Sequence, residues 1–185
     1  MSDLQPGRSA VLAPGGTNSP DIPLLMYAGL AVKRRGALAR PVRWDLAEGG
    51  IGQQREMVAS KVGAAVDELA AATGAAPLVI GKSLGSLAAP VVAARGLPAV
   101  WFTPLLTDEL TVAALGRAAG PFLLVGGTAD PYWDGDVARS LAGDMVEIDG
   151  ADHSMFMPGR LSATAAVLGQ VLTAVEEFLD HTVWP

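Results

Sequence analysis

The sequence contains no cysteine and only two histidines among its 185 residues. Without cysteine the chain can form no disulfide bond and carry out no thiolate chemistry. The two histidines, His153 and His181, are far apart in the chain and do not form a credible ligand set for a metal ion. Any reaction that needs an imidazole base therefore has only these two candidates.

Cations are also scarce, because 13 lysines and arginines face 19 acidic residues and give a formal charge of −6. A nucleic-acid backbone requires a basic surface, so nucleic acid is not expected as a partner. No long apolar run suggests a membrane partner either, since the most apolar region, residues 84–106, is interrupted by Arg95 and three prolines. The first ten residues lack the apolar core of a signal peptide. These features together favour a cytoplasmic protein.

Apolar residues, by contrast, make up half of the chain. A chain of this length can form one domain, residues 1–185, with a sizeable core. Strands of a parallel sheet that is covered on both faces are apolar throughout, which explains the high hydropathy without a membrane span. Short apolar runs alternate with longer helical patterns, and the runs predict strands at residues 9–13, 37–44, 77–80, 99–102, 122–125 and 144–148.

Six units, each a strand followed by a helix, predict a three-layer, doubly wound, mostly parallel α/β sheet. Pro41 lies in the second predicted strand, and proline is tolerated in sheets chiefly at an edge. We therefore expect the strand order 2-1-3-4-5-6, with ligands bound beyond the carboxyl ends of the strands where the winding reverses. Pro90 fits less well, because it falls inside the helix predicted after the third strand and should kink it.

The stretch PLVIGKSLGS, residues 77–86, matches two motifs. A phosphate-binding loop would need a glycine where the chain has Ala76, and a flexible turn where it has the apolar run 77–80. A nucleophile elbow needs a strand before the motif and a helix after it, with small residues two positions on either side of the nucleophile. Gly81 and Gly85 flank Ser83 in this way, so we interpret Ser83 as the candidate nucleophile.

A serine nucleophile needs a base, and the base needs an orienting acid. His153 follows the sixth predicted strand and should lie at the same sheet edge as Ser83, whereas His181 belongs to the last five residues. Asp130 follows the fifth strand and completes the chain order serine, aspartate, histidine that is typical of the elbow motif. Three other acids compete with it: Asp134, which is nearest, Asp136 and Asp108.

Two main-chain N–H groups would be needed to stabilise a developing oxyanion. One is expected from Leu84, directly after the nucleophile. The other is expected from the glycine-rich loop after the first strand, in VLAPGGTNSP, where Gly16 is the first candidate and Thr17 the alternative.

Four segments, APGG, GKSLG, GGTADP and GADHSM, occur in the order and spacing of a known family. The chain resembles the small, lidless members of the α/β-hydrolase superfamily that are dienelactone-hydrolase-like or serine-esterase-like. The likeness covers nearly the whole chain. The chain departs from the larger members of the superfamily at two points. Their first antiparallel strands have no room before Pro14. Residues 102–122, where the larger members insert a lid, hold one short helix at most.

The resemblance implies hydrolysis of a small or accessible ester, thioester or other acyl compound through an acyl-enzyme on Ser83, with no metal and no cofactor. It implies an open pocket, for which the candidate lining residues are Trp133, Met155 and Leu105, together with Trp44 and Pro104. Acyl transfer to an acceptor other than water stays open. A binding module with an idle triad also stays open, because fold does not imply function. The sequence suggests no role for Lys82 and does not predict the oligomeric state.

Overall fold

The computed structural model describes residues 4–16, 19–44, 50–141 and 143–185. Its centre is a six-stranded sheet in the order β2-β1-β3-β4-β5-β6, in which every neighbouring pair is parallel. The predicted order is therefore confirmed, and the sheet is wholly parallel. The strands are β1 Ser9–Ala13, β2 Leu38–Pro41, β3 Leu78–Lys82, β4 Ala99–Phe102, β5 Phe122–Gly127 and β6 Asp144–Ile148.

Helices connect the strands and cover both faces of the sheet. In chain order they are α1 Pro23–Arg34, α2 Ile51–Thr73, α3 Ala89–Ala94, α4 Glu109–Leu115, α5 Gly135–Ser140 and α6 Leu161–Phe178, with a 3₁₀ turn at Ser83–Ala88 and a π-helical turn at Leu179–Val183. Along the described ranges no helix combines the length and the apolar character needed to cross a bilayer.

The two faces of the sheet carry separate apolar clusters because successive side chains of a strand point to opposite sides. In β3, Val79 packs in the cluster on the side of α2 to α5. Its neighbour Ile80 packs in the cluster on the side of α1 and α6. Both side chains are completely buried, which explains why the strands are apolar throughout instead of alternating.

The second strand is shorter than the predicted 37–44, because it ends at Pro41. Its position at the sheet edge agrees with the tolerance for proline there. After one further main-chain bond, from Val42 N to Leu12 O at 2.9 Å, the chain leaves the sheet. Val42 and Trp44 then turn into the core on the α2 side.

The third and fifth strands are longer than predicted at their carboxyl ends. Gly81 and Lys82 pair with Trp101 and Phe102 of β4, and Gly126 and Gly127 continue β5 alongside β6. Glycine has low strand propensity, so the apolar pattern alone placed these ends too early.

The kink expected at Pro90 does not occur. The chain after Ser83 first forms the 3₁₀ turn, and the α-helical part begins at Ala89, so Pro90 occupies the first turn of α3. Proline is favoured there because its missing N–H would have no partner within the helix.

A half-buried ion pair joins α2 to the start of α4. The guanidinium of Arg55 donates two hydrogen bonds to Asp108, at 2.7 and 3.1 Å, and Asp108 also accepts from the main-chain N–H of Thr111 as the N-cap of α4. Burial by itself would raise the pKa of Asp108, but the hydrogen bonds from Arg55 and Thr111 outweigh it and hold the pKa below its ordinary value.

Replacing Asp108 with asparagine should therefore lower the stability of the protein by an amount that depends on pH. Asparagine still caps a helix, so Asp108→Asn removes mainly the charge, and the free energy of unfolding at pH 7 should fall by about 1–3 kcal/mol. Because the folded-state pKa is lowered, this stabilisation is present above the ordinary value of 3.8 and is lost as the pH falls through the folded value. Urea unfolding between pH 7 and pH 3 measures both effects.

The control is Asp67→Asn, which breaks the pair with Arg95, in which Asp67 is 69% exposed. An exposed pair contributes about 0–1 kcal/mol. Equal losses in the two variants, or a loss at Asp108 that does not change with pH, would contradict the interpretation.

Candidate active site

Ser83 lies at the carboxyl end of β3, where the winding of the sheet reverses between β1 and β3. Its φ is +49°, a left-handed conformation that is uncommon for a residue other than glycine. β3 ends at Lys82, and the 3₁₀ turn begins at the next residue, Ser83. This is the strand–turn–helix context that the nucleophile-elbow motif requires.

The two glycines of the motif are required by close contacts. A Cβ atom on Gly85 would lie 2.5 Å from the carbonyl oxygen of Ala13, and one on Gly81 would lie 2.5 Å from the indole ring of Trp101. Neither distance is compatible with a real carbon atom. The spacing of the motif thus reflects how tightly the turn packs against β1 and β4.

Gly85→Ala should consequently destabilise the fold, because the main chain of β1 has to shift. We expect a loss of about 1–3 kcal/mol in the free energy of unfolding, typical of overpacking. The matched control is Gly169→Ala within α6, where a Cβ meets nothing within 4 Å and where alanine should add about 0.5–1 kcal/mol. Urea denaturation of both variants measures this, and an unchanged stability for Gly85→Ala would contradict the steric reason for the glycine.

The three residues predicted as a triad lie in one hydrogen-bonded series. His153 Nε2 lies 2.7 Å from Oγ of Ser83, and His153 Nδ1 lies 2.8 Å from Oδ2 of Asp130. The Asp130 side chain is completely buried, whereas that of His153 is 28% exposed. The order from buried acid to accessible hydroxyl is the one that serine-based acyl chemistry requires.

Asp130 is held by a tight turn after β5. Its N–H donates to the carbonyl of Gly127, and its own carbonyl accepts from the N–H of Trp133. Oδ1 accepts from the N–H of Tyr132 at 2.9 Å, which leaves Oδ2 directed at the imidazole. The ring of Tyr132 then packs edge-on against that of His153, with their centroids 5.0 Å apart.

His153 belongs to a turn, residues 152–156, that is closed mainly by Asp152. The carboxylate of Asp152 accepts from the N–H groups of Ser154 and Phe156, and two main-chain bonds join Asp152 to Met155 and Phe156. Met155 adopts a φ of +61° within the turn. These contacts fix the shape of the turn that carries the imidazole.

The competing acids have other partners. Asp134 caps α5 by accepting from two main-chain N–H groups, Asp136 pairs with Arg139, and Asp108 caps α4 and binds Arg55. His181 lies in the π-helical turn that follows α6. The structure brings none of these four residues into hydrogen-bonding contact with Ser83 or His153 among the bonds of the described residues.

A cavity of about 470 Å³ opens beside Ser83. Leu105 lines the cavity, and so does Tyr132. Ile51 and Gln54, at the start of α2, line it as well. Its described lining consists of Gly15, Gly16, Ile51, Gln54, Lys82, Ser83, Leu84, Leu105, Tyr132, His153 and Ser154.

Four of the five candidate lining residues are buried and do not line the cavity. Trp133 is buried on the α5 side, stacked on Gly126, and donates its indole N–H to Glu147 at 2.7 Å. Met155 is 2% exposed and packs in the core on the α6 side. Both predictions were wrong because large apolar side chains at loop tips gain more by turning into the core. Trp44 and Pro104 are buried as well.

The cavity also includes residues that the sequence analysis missed. Tyr132 follows the Asp130-Pro131 turn, and its nearness to Asp130 in the chain was a usable signal. Ile51 and Gln54 belong to the first turn of α2 and are about thirty residues from Ser83 in the chain, so no local pattern connected them to it.

The glycine-rich loop after β1 borders Ser83. A Cβ on Gly15 would lie 3.4 Å from Cβ of Ser83, and both Gly15 and Gly16 line the cavity, as does Leu84. Thr17, the alternative candidate for an oxyanion donor, lies outside the described residues. The assignment of Leu84 and Gly16 as donors stays a prediction.

Lys82, which directly precedes Ser83, is a buried cation with 8% of its surface exposed. Its ammonium group donates to the hydroxyl of Thr103 at 3.3 Å and to the main-chain carbonyl of His153 at 3.1 Å. Burial lowers the pKa of Lys82, and the charges of Asp130 and Asp152 oppose that change only in part.

Across the residues that the structure describes, no group of three or more histidine and acidic side chains is placed to hold a metal ion. No family model matches the sequence, and no curated protein matches it either.

Solved structures, however, share its fold. The chain is similar to the dienelactone hydrolase of Anabaena variabilis, with 21% identity, a TM-score of 0.74, and coverage of 97% of this chain and 88% of that one. It is also similar to an α/β serine hydrolase without a lid from Xanthomonas campestris, with 14% identity, a TM-score of 0.72 and coverage of 97% and 84%. An esterase of Pyrococcus furiosus matches with 12% identity, a TM-score of 0.71 and coverage of 97% and 85%.

These likenesses identify the class of architecture: the chain has the α/β-hydrolase fold. At such low identities they show the fold alone, so the reaction has to be inferred from the site itself.

Proposed function

We propose that the chain is a serine hydrolase that cleaves a small or accessible ester, thioester or other acyl compound. The observation that carries this proposal is the hydrogen-bonded series from the buried Asp130 through His153 to Ser83. The fold shared with solved hydrolases is consistent with it, and a cavity of about 470 Å³ suits a small molecule.

The reaction begins at the hydroxyl of Ser83. A carboxylate only accepts hydrogen bonds, so Asp130 keeps the proton of His153 on Nδ1 and leaves Nε2 free to accept from Ser83. As Oγ bonds to the acyl carbon, its proton passes to Nε2, and the carbonyl π electrons move to the oxygen. The N–H groups of Leu84 and Gly16 would stabilise that oxyanion.

Collapse of this intermediate breaks the bond to the leaving group, which takes the proton from Nε2. A water molecule then gives a proton to Nε2 and attacks the acyl carbon. The second intermediate releases the acid and returns the proton to Oγ. Each step uses protons that the site itself exchanges with substrate and water, so the cycle balances without a metal or cofactor.

The first test is covalent labelling with an uncharged fluorophosphonate, read by peptide mass spectrometry. We expect an adduct on Ser83 that is absent in Ser83→Ala and strongly reduced in His153→Ala, because the hydroxyl then lacks its base. The control variant is His181→Ala, which removes the other histidine and should label like the native protein. Folded native protein that stays unlabelled would favour a binding module with an idle triad.

The acid can be tested separately. Asp130→Asn should lower the labelling rate by about 10³- to 10⁴-fold, since asparagine favours the wrong tautomer of the imidazole. Its matched control is Asp134→Asn, four residues away, where asparagine still caps α5 and the rate should be unchanged. A similar small effect in both variants would remove Asp130 from the proposed triad.

A further inference from the structure

Lys82 occupies a position that the triad does not explain. It lies next to the nucleophile in the chain, yet its ammonium group contacts the main chain of the base, 71 residues away. We propose that Lys82 is a positioning residue, whose ammonium group ties the carbonyl of His153 to the ends of β3 and β4 and thereby holds the imidazole in line with Ser83. This inference rests on the proposed hydrolase function and adds a residue to it.

Lys82 provides one of the attachments of the turn that carries His153. The side chain of Met155, buried in the core on the α6 side, provides another. The main-chain N–H groups of Asp152, Ser154, Met155 and Phe156 bond to acceptors within residues 152–156. Those bonds fix the internal shape of the turn but not its position relative to β3. The carbonyl of His153, in contrast, bonds outside the turn, to Lys82.

The hydrogen bond between Nε2 of His153 and Ser83 cannot hold the imidazole throughout the reaction. During the proposed reaction Oγ becomes bonded to the acyl group and no longer donates to Nε2. The bond from Lys82 to the carbonyl of His153 is independent of that change. Together with the bond between Nδ1 and Asp130, it can therefore keep the ring in place while water is activated for the second half of the reaction.

The ammonium group is itself held from a third strand. Its second acceptor is the hydroxyl of Thr103, a fully buried residue just after β4. Thr103 has a φ of +42°, and its N–H donates to the carbonyl of Val125 at 2.6 Å. Lys82 thus connects the carboxyl ends of β3 and β4 to the turn after β6.

The burial of this charge argues against a role as simple filler. A buried ammonium group loses favourable hydration unless partners replace it, and burial does lower the pKa of Lys82. A methionine side chain would fill similar space without that cost. Two of the three N–H groups are already bonded within the protein, which favours positioning of the base over recognition of an anionic substrate.

The test compares Lys82→Met with Lys61→Met by fluorophosphonate labelling of Ser83 over a range of probe concentrations. Lys61 is the matched control because its ammonium group also donates to a main-chain carbonyl, that of Arg43, but is exposed. For Lys82→Met we expect the limiting labelling rate to fall about 10- to 100-fold, the usual effect of a small misplacement of a reacting group. The half-saturating probe concentration should change little, and Lys61→Met should behave like the native protein.

A second measurement separates the charge from packing. Because the chain has no cysteine, Lys82→Cys can be alkylated at that one position in the unfolded state and then refolded. 2-Bromoethylamine restores an ammonium group at nearly the original length, whereas 1-iodopropane adds a neutral chain of similar size. We expect the aminoethyl form to regain most of the native labelling rate and the propyl form to stay as slow as Lys82→Met.

The outcomes distinguish this inference from the proposed function. If native protein is not labelled, the hydrolase proposal fails and the role of Lys82 fails with it. If native protein is labelled and Lys82→Met reacts at the same limiting rate, only the role of Lys82 is overturned. An unchanged limiting rate with a raised half-saturating concentration would also overturn it, as would equal rates for the two alkylated forms. If Lys82→Met does not fold, Lys82→Gln replaces it in the test. The glutamine side chain is too short to reach both Thr103 and the carbonyl of His153, so the limiting labelling rate should fall in the same way.

Discussion

The close approach of the turn at Ser83 to β1 is the constraint on which the rest of the site depends. Gly85 packs so tightly under the carbonyl of Ala13 that no side chain fits between them. This contact lets the chain reverse directly from β3 into a helical turn and holds Ser83 in its left-handed conformation. The Ser83 hydroxyl therefore lies at the carboxyl edge of the sheet, where the imidazole of His153, from the turn after β6, contacts it.

The loops of the candidate site come from strands that are neighbours in space but distant in sequence. β5 and β6 pair directly, so the turns that follow them, carrying Asp130 and His153, leave the sheet side by side. Gly127, at the end of β5, allows the first turn to pass close to Ala151, which precedes the second. The sheet thus provides the rigid frame, and the short turns after its strands carry the polar side chains of the candidate site.

Charge inside the site is balanced over a small volume. A fully buried carboxylate, Asp130, and a buried ammonium group, Lys82, both face the segment that carries His153. The charge of Asp130 opposes part of the effect of burial on the pKa of Lys82, as expected for opposite charges that are buried near each other.

The sequence by itself determined the architecture and the three residues of the hydrogen-bonded series. Apolar runs, the edge proline Pro41 and the glycine spacing around Ser83 reflect local rules of strands and turns, so they can be interpreted without coordinates. The chain order of Ser83, Asp130 and His153 follows from the same topology.

Only the tertiary structure decided which side chains surround Ser83. Trp133 and Met155 turned into the core, while Ile51, Gln54 and Tyr132 reached the cavity. Lys82 likewise had no recognisable role until its partners across β4 and β6 were in place. The physical reason is that the direction of a loop side chain depends on competition between burial and contacts made across the fold, which no short stretch of sequence contains.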